Sequence, residues 1–270
     1  MVENTDQTAM IERTWRHILI QGITEKDKRL RKIFKLIHSE EKCKMCSVPF
    51  NHVTSPLIKL IFQKEPSPHN PRFCNACEDF ARKHQGGAEI ELTMLFADIR
   101  GSTTLAESMS TTEFKNLIDR FYQVSTDIFI KSDAMIDKLV GDEVTAYYVP
   151  GMAGPEYTSR AIRAAQEILT RTGHRDPQGP WAPIGIGIHT GVAFVGAVGS
   201  ANGVVDITAL GDAVNVAARL ASNAQAGEIL LSQQTVEGAF LDTSKMEKRS
   251  LSLKGKSAAF DVNVMRVAPQ

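Results

Sequence analysis

Two aspartates lie where predicted strands end, and their carboxylates are candidate ligands for divalent cations. Asp98 follows the mostly apolar residues 90–96, and Asp142 lies in a tight turn between the predicted strands 135–140 and 144–149. A carboxylate is costly to bury alone, but two at the rim of one sheet can share cations such as Mg²⁺, which prefers oxygen ligands. Because two-metal sites activate an attacking oxygen and neutralise phosphate charge, the pair predicts metal-assisted phosphate chemistry.

A small turn rich in hydroxyl groups follows Asp98 directly. Residues 100–104 read Arg-Gly-Ser-Thr-Thr and lead into a predicted helix, so their backbone N–H groups can face an anion. A carboxylate at a strand end is most often only a turn or cap residue, and this turn is what favours a catalytic role for Asp98. Gly101, Ser102 and Thr103 are therefore candidate substrate-binding residues.

The composition bounds the class of protein. The chain has 270 residues, 43% of them hydrophobic, which is enough for a sizeable core. Basic and acidic residues number 31 each, and this balance gives no indication of a nucleic-acid partner. No apolar run reaches the roughly 18–20 residues that span a bilayer, and the first residues lack the pattern of a secretory signal. We expect a cytoplasmic protein with reduced thiols.

Helices and strands alternate along the chain after Gly87. The capping pair Ser110 and Glu113 opens a predicted helix, and the apolar pattern predicts a second helix over 157–171. Further strands are predicted at 184–189 and 192–198, separated by Gly191, and at 228–231 and 260–267, with helices over 212–221 and from 233. This alternation predicts an α/β or α+β sheet covered by helices.

Five segments of residues 90–267 occur in a specific order. They are 96–103 (FADIRGST), 138–143 (KLVGDE), 185–191 (GIGIHTG), 208–219 (TALGDAVNVAAR) and 253–256 (LKGK). In that order they resemble the two metal motifs, the central strand, the transition-state segment and the C-terminal phosphate motif of class III adenylate and guanylate cyclases. One such segment alone is weak, because Gly-Asp-Glu occurs in other nucleotide-handling folds, but five in order are specific. The resemblance implies a ferredoxin-like α+β catalytic domain of the βαββαβ type over residues 88–270.

The resemblance also implies a reaction in which the ribose 3′-oxygen of a nucleoside triphosphate attacks the α-phosphorus and pyrophosphate leaves. Asn215 and Arg219 are four residues apart on a predicted helix, so their side chains point the same way, and an arginine offers several donors to phosphate oxygens. By the same resemblance, Asp98, Asp142 and the Ile99 carbonyl would ligate two Mg²⁺ or Mn²⁺ ions. Asn215 would orient the ribose and Arg219 would stabilise the charge at the α-phosphate. Lys254 would bind the terminal phosphates.

Two further positions of the family select the purine. Adenylate cyclases carry Lys and then Asp or Thr, whereas guanylate cyclases tend to carry Glu and then Cys or a related small residue. Lys138 stands at the first position here, and spacing favours Thr208 over Asp206 for the second. A lysine donates to adenine N1, an acceptor, but faces a proton on guanine N1. The prediction is therefore an adenylate cyclase that forms 3′,5′-cyclic AMP, with a guanylate cyclase or a catalytically silent nucleotide-binding module as alternatives.

The family's active site is shared between two subunits, one giving the metal carboxylates and the other the remaining residues. This chain carries the full set, so the resemblance implies a homodimer with two equivalent sites for ATP.

The first third of the chain holds all four cysteines, as Cys43-x-x-Cys46 and Cys74-x-x-Cys77 with 27 residues between the pairs. Two such pairs can place four thiolates around one structural Zn²⁺, and an iron–sulfur cluster also takes four cysteines. A redox dithiol, an absence of metal, or ligation by His52, His69 or His84 remain open. We predict N-terminal helices over 1–42 and a Cys-rich module with its linker over 43–87. This module could transmit a signal from a ligand or partner, or brace the dimer.

Overall fold

The computed structural model describes residues 2–22, 25–37, 39, 41–50, 55–200, 203–252 and 259–267. They form two compact units. The first unit comprises Met1–Ile90, Pro150–Met152 and Phe194–Leu210, and the second comprises Glu91–Val149, Ala153–Ala193 and Gly211–Gln270. The boundaries predicted near residues 42 and 87 stay a prediction.

Eighteen elements follow one another along the described residues. The helices are α1 (Val2–Ile20), α2 (Glu25–Leu36), α3 (Ser55–Phe62), α4 (Asn75–Lys83), α5 (Ser102–Ser108), α6 (Thr111–Lys131), α7 (Pro150–Ala153), α8 (Tyr157–Arg171), α9 (Asp212–Asn223) and α10 (Gln233–Gly238). The strands are β1 (Gly86–Ile99), β2 (Met135–Val140), β3 (Glu143–Tyr148), β4 (Ile184–Gly199), β5 (Val205–Leu210), β6 (Glu228–Ser232), β7 (Glu247–Leu251) and β8 (Phe260–Arg266).

The first unit is built around a few large aromatic side chains. Trp15 of α1 is fully buried, contacts Phe80 of α4 edge-on at 5.2 Å between ring centroids, and donates from its indole N–H to the His84 carbonyl at 2.8 Å. Phe34 of α2 is packed against Phe62 of α3 in the same edge-on way, at 5.3 Å. Large buried rings contribute much apolar contact area, and the indole N–H of Trp15 has a hydrogen-bond partner, so these contacts stabilise the packing of the helices.

The sheet order is β2-β3-β1-β4-β6-β8-β7, with β5 paired to β4. The elements β1-α6-β2-β3-α8-β4 with the order β2-β3-β1-β4 are the predicted ferredoxin-like βαββαβ arrangement, so the α+β prediction is confirmed. Strand β6 runs parallel to β4, β8 pairs antiparallel with β6, and the edge strand β7 pairs antiparallel with β8.

Helices α6 and α8 pack against the sheet in the apolar core of the second unit. Phe121, Phe129 and Ile168 are fully buried against Leu95 and Ile186 of the sheet. The predicted capping box of α6 is present, because the Ser110 hydroxyl accepts from the Glu113 N–H at 3.2 Å and the Glu113 carboxylate accepts from the Ser110 N–H at 2.8 Å. Among the described helices, none combines the length and the apolar character that a membrane span needs.

The prediction of two strands separated at Gly191 was wrong. Residues 184–199 form one continuous strand. The glycines of this segment serve close packing and not a turn, since a Cβ at Gly187 would lie 2.1 Å from the Ala221 N of α9. Two strands were also missed, β5 and the charged edge strand β7, and β1 begins at Gly86 inside the predicted linker.

Candidate active site

The predicted metal ligands meet at the C-terminal end of β1. Asp98 is the register partner of Glu143 at the start of β3, and the Ile99 N–H donates to the Asp142 carbonyl at 3.1 Å. Gly141 has a φ of 61°, a left-handed conformation that glycine adopts without strain. That turn places Asp142 beside the end of β1, so the structure brings Asp98, Ile99 and Asp142 together as the sequence predicted.

The carboxylates at this end of the sheet repel one another. Burial raises the pKa of Asp98, the Arg100 guanidinium opposes that rise and the neighbouring Asp142 adds to it. Burial likewise raises the pKa of Glu143, and Asp98 raises it further. An all-oxygen set that is partly buried and short of positive charge suits a hard divalent cation such as Mg²⁺. The residues present therefore fit the implied metal.

Arg100 is a residue of this site to which the sequence analysis assigned no role. Its side chain forms an ion pair with Asp98 and donates to the Ser222 carbonyl, at 3.0 Å, near the end of α9. Its backbone N–H donates to the Pro183 carbonyl at 2.6 Å. Glu143 was missed in the same way. Arg100 and Glu143 lie close in sequence to Asp98 and Asp142, within segments 96–103 and 138–143, and this proximity could have identified them as residues of the site.

The turn after Arg100 leads directly into a short helix. Gly101 is left-handed, with a φ of 67°, and precedes helix α5, which begins at Ser102 and Thr103. The first backbone N–H groups of a helix lack intrahelical partners. Phosphate binding by these three residues stays a prediction.

Lys138 lies near the end of β2, with its side chain exposed and its register partner Thr145 on β3. The register of β2 shifts between Ile136 and Lys138. Such irregularities re-aim the side chains that follow them and are common beside active sites. The shift is anchored by buried Asp137, whose carboxylate accepts from the Tyr147 hydroxyl at 3.0 Å.

Asn215 and Arg219 lie one turn apart on α9, on the side opposite its buried face. Asn215 is exposed and Arg219 is half-buried, whereas Val216 and Leu220 are buried in the core. Within the described part of the chain, neither side chain forms a hydrogen bond or an ion pair with Asp98 or Asp142. The shared face is confirmed, and the catalytic roles stay a prediction. Lys254 and its motif lie outside the described residues.

The first unit carries the second position predicted to read the purine. Thr208 on β5 is 8% exposed, and its hydroxyl has no hydrogen-bond partner among the described residues. Asp206, the competing candidate, forms ion pairs with Lys44 at 3.0 Å and with Arg72 at 3.3 Å. A buried hydroxyl without a hydrogen-bond partner is costly, and a bound purine could supply the partner that Thr208 lacks. The Asp206 carboxylate is already engaged in its two ion pairs.

The four cysteines form one cluster in the first unit. Their Sγ atoms all lie within 4.8 Å of one another, and Cys46 and Cys74 are 3.7 Å apart. Zinc–sulfur bonds of about 2.3 Å in a tetrahedron imply sulfur–sulfur distances of about 3.8 Å. An iron–sulfur cluster would attach the cysteines to several irons and hold them farther apart. The spacing therefore fits one ion.

Histidines do not join this cluster among the described residues. His84 shares its Nδ1 with the Phe80 carbonyl at 3.0 Å, and His69 lies 3.7 Å from the Glu78 carboxylate. His52 lies outside the described residues. Among the described residues, the candidate ligand set is therefore the four cysteine sulfurs.

Two of the four thiols favour the thiolate, the form that binds metal. Hydrogen bonds, first from Cys43, lower the pKa of Cys46 and that of Cys74, and the charge of Lys64 lowers the pKa of Cys46 further. Burial raises the pKa of Cys43, and hydrogen bonds with the other cysteines raise the pKa of Cys77. Burial alone would lower the pKa of Lys64, but the thiolates of the cluster outweigh it and raise that pKa.

A cavity of about 180 Å³ adjoins Cys46 and Cys77 and is lined mainly by apolar side chains of the same unit, among them Leu30, Phe34 and Phe80.

The family model described as the adenylate and guanylate cyclase catalytic domain matches residues 87–264. Adenylate cyclase 1 of Rhizobium meliloti is 31% identical over 189 residues, which are 66% of this chain and 28% of that protein. The adenylate cyclase of Anabaena cylindrica is 31% identical over 185 residues, 63% of this chain and 36% of that protein. The chain thus spans about a third of the length of these relatives.

Solved structures show the same fold. The guanylyl cyclase Cya2 superposes with a TM-score of 0.60 at 24% identity, covering 68% of this chain and 96% of that chain. The adenylyl cyclase CyaB from P. aeruginosa superposes with a TM-score of 0.55 at 28% identity, covering 66% of this chain and 95% of that chain. The span matched by the family model holds every residue predicted for phosphate chemistry, and the four cysteines precede it.

Proposed function

The chain belongs to the family of adenylate and guanylate cyclase catalytic domains, and on that premise we propose that it converts ATP to 3′,5′-cyclic AMP and pyrophosphate. The observation that carries the proposal is the carboxylate cluster at the end of β1, where Asp98, Asp142 and Glu143 lie with one neighbouring guanidinium. Each added carboxylate raises the free-energy cost of ionising its neighbours. A purely structural role at the edge of a sheet therefore does not account for three of them together.

Asp98, Asp142 and the Ile99 carbonyl are the residues that would hold the divalent cations. Two bound Mg²⁺ or Mn²⁺ ions would supply activation of the ribose 3′-oxygen and neutralisation of the triphosphate. The chain's own contribution is positioning, which is the main requirement of phosphoryl transfer. Asn215 orients the ribose, Arg219 stabilises the charge that develops at the α-phosphate, and Lys254 binds the terminal phosphates.

Lys138 and Thr208 select adenine in this proposal. The Lys138 ammonium donates to adenine N1, while guanine would present an N–H group to the same donor. The unpartnered Thr208 hydroxyl supports its role, since a purine amino group would satisfy it, and the ion pairs of Asp206 support leaving that residue out.

A homodimer completes the site in this proposal. In the second unit, the carboxylate cluster and the Asn215–Arg219 pair form no mutual hydrogen bond or ion pair among the described residues. One chain's carboxylates would then act with the α9 residues of a second copy. Two equivalent sites follow from the two-fold symmetry of such a dimer.

The cysteine cluster holds one Zn²⁺ in this proposal. The 3.7 Å separation of Cys46 and Cys74 and the four-sulfur set support a closed structural site. Such an ion would stabilise a segment that is too small to build a large core of its own.

The test is an assay of the purified chain with ATP or GTP and Mg²⁺ or Mn²⁺. We expect cyclic AMP from ATP, and a loss of at least about a hundredfold in Asp98→Ala because the cation loses a ligand. The matched control is Asp119→Ala, which removes an exposed carboxylate paired with Lys115 on α6 and should keep the activity. An inactive wild-type chain, or an Asp98→Ala variant as active as the control, would contradict the proposal.

A further inference from the structure

Strand β5 has one edge that no strand of the described residues covers. It pairs with β4 from Phe194 opposite Leu210 to Gly199 opposite Val205, and lies off the main path of the sheet. Alternate residues of a strand direct their carbonyls to the same edge. The carbonyls of Val205 and Ile207 accept from Asn70 Nδ2 at 3.0 Å and from Lys44 Nζ at 2.5 Å. Side chains of the cysteine module therefore stand where a neighbouring strand would stand.

Lys44 makes two of these contacts. Its side chain is 3% exposed, and its ammonium pairs with the Asp206 carboxylate at 3.0 Å while it donates to the Ile207 carbonyl. The ring of Phe73 lies 5.9 Å from the same ammonium. A lysine this deeply buried needs its partners, because removing one of them leaves an uncompensated charge. The contact is therefore specific and not an incidental surface pair.

The other contacts come from residues that flank the remaining cysteines. Arg72, two residues before Cys74, pairs with Asp206 at 3.3 Å. Arg82, on the helix that follows Cys74, donates to the Gly203 carbonyl at 2.7 Å and is itself held by Glu78 at 2.7 Å. Together with Lys44 and Asn70, these side chains contact the segment at residues 203, 205, 206 and 207. We call these four side chains the β5 clamp.

The cysteine cluster sets the position of Lys44. Lys44 lies inside the Cys43–Cys46 turn, which is closed by the Cys43 N–H donating to the Val48 carbonyl at 2.9 Å. The Lys44 N–H donates to the Arg72 carbonyl at 2.9 Å, which joins the two halves of the module. An ion bound to all four sulfurs would fix both halves at once. The backbone of Lys44 then has little freedom to move away from β5.

We propose that the cysteine module is a metal-dependent clamp on β5 and that Lys44 is a positioning residue for Thr208. Thr208 follows Ile207 directly and lies on the same face of β5 as Asp206, two residues earlier. Contacts at Asp206 and Ile207 hold the strand directly before Thr208. The structural half of the proposal stands without catalysis, and only the consequence for purine selection rests on the proposed function.

The direct test is amide hydrogen exchange of residues 204–210 in the full chain. We expect Lys44→Met to raise exchange in this segment by about tenfold or more, because local opening free energies follow the contacts that hold a segment. Asp206→Asn, which removes the partner on the strand side and leaves the cysteine turn intact, should act in the same way. The matched control, Lys83→Met, removes a lysine from the exposed pair with Asp79 on α4 and should match the wild type.

Metal dependence is tested by removing the ion with a chelator and repeating the exchange measurement. We expect faster exchange in 204–210 together with faster exchange in 43–48. Wild-type exchange of 204–210 in Asp206→Asn overturns the clamp, and faster exchange confined to 43–48 after chelation overturns its metal dependence.

A second readout concerns purine selection. If the chain forms cyclic nucleotide, Lys44→Met should lower the ratio of ATP to GTP kcat/KM by about tenfold, with Lys44→Arg restoring part of it. If the wild-type chain is inactive but the variants show the change in exchange, the clamp is supported and the proposed function is contradicted. If the wild-type chain is active but exchange is unchanged in Lys44→Met and Asp206→Asn, the proposed function is supported and the clamp is contradicted.

Discussion

The backbone N–H of Ile99 donates to the carbonyl of Asp142 at 3.1 Å, across 43 positions of sequence. This one bond ties the turn between β2 and β3 to the end of β1. It therefore holds the backbones of Asp98 and Asp142, the two aspartates central to the proposed chemistry, at the same end of the sheet.

Exchange of the two base-reading residues should change the preferred nucleotide. Lys138→Glu combined with Thr208→Cys replaces the donor that suits adenine N1 with an acceptor that suits guanine N1–H. We expect kcat/KM for ATP to fall by about 10² and that for GTP to rise, a change within the reach of a few polar contacts. Steady-state kinetics with both nucleotides measures it. Lys115→Glu, on the exposed face of α6, is the charge-matched control, and an unchanged preference in the double variant would rule out these two positions.

The cysteine site should contain one zinc ion per chain. Metal analysis of the purified protein is expected to give one equivalent of zinc, with no visible absorption of the kind an iron–sulfur cluster shows. Cys77→Ser should lose the metal and at least about 2 kcal/mol of unfolding free energy, because the binding energy of a structural zinc contributes to folding. Iron in stoichiometric amount, or full stability in Cys77→Ser, would contradict this assignment.

Glu228 should make stability depend on pH at the acidic end. Its side chain is 2% exposed and pairs with Arg249 at 2.9 Å and with Arg266 at 2.5 Å. Burial alone would raise its pKa, but the hydrogen bonds from Arg249 and the Gln225 N–H, with that from Arg266, lower it to about 2. Since the folded pKa lies below the unfolded one, the stabilisation is present above the unfolded pKa and is lost as pH falls toward 2.

The variant Glu228→Gln is therefore expected to lose about 3 kcal/mol of unfolding free energy at pH 7, and the difference from wild type should shrink between pH 4.5 and 2. Urea unfolding at several pH values measures it. The exposed Glu237→Gln is the control. A difference that stays constant with pH would show that packing, and not ionisation, is responsible.

Elements with strong local signals were predicted correctly from the sequence. The Ser110 and Glu113 pair encodes the start of α6 within four residues, and the 157–171 pattern encodes α8. Gly191 was misread because glycine serves either a turn or close packing, and only the presence of α9 over Gly187 decides between them. Strand β7 escaped because its sequence, Glu-Lys-Arg-Ser-Leu, is that of a charged edge strand with little apolar pattern.

The candidate site divides in the same way. The sequence placed Asp98 and Asp142 near each other because Asp98 lies at the end of an apolar strand and Asp142 lies in the tight turn between two others. The ion pair of Lys44 with Asp206 joins residues 162 positions apart, so no local pattern could reveal it. Because this ion pair engages the Asp206 carboxylate, Asp206 is a weaker candidate than Thr208 for reading the purine.

The most direct test of a shared adenylate cyclase site mixes two inactive variants, Asp98→Ala and Arg219→Ala. Each homodimer lacks one essential residue in both sites, whereas a mixed dimer has one intact site. At equal amounts, with free exchange of subunits, about a quarter of wild-type cyclic AMP production should return, since half of the dimers are mixed. Recovery near that level supports the account. Two variants that are inactive separately and remain inactive after mixing and subunit exchange would contradict it.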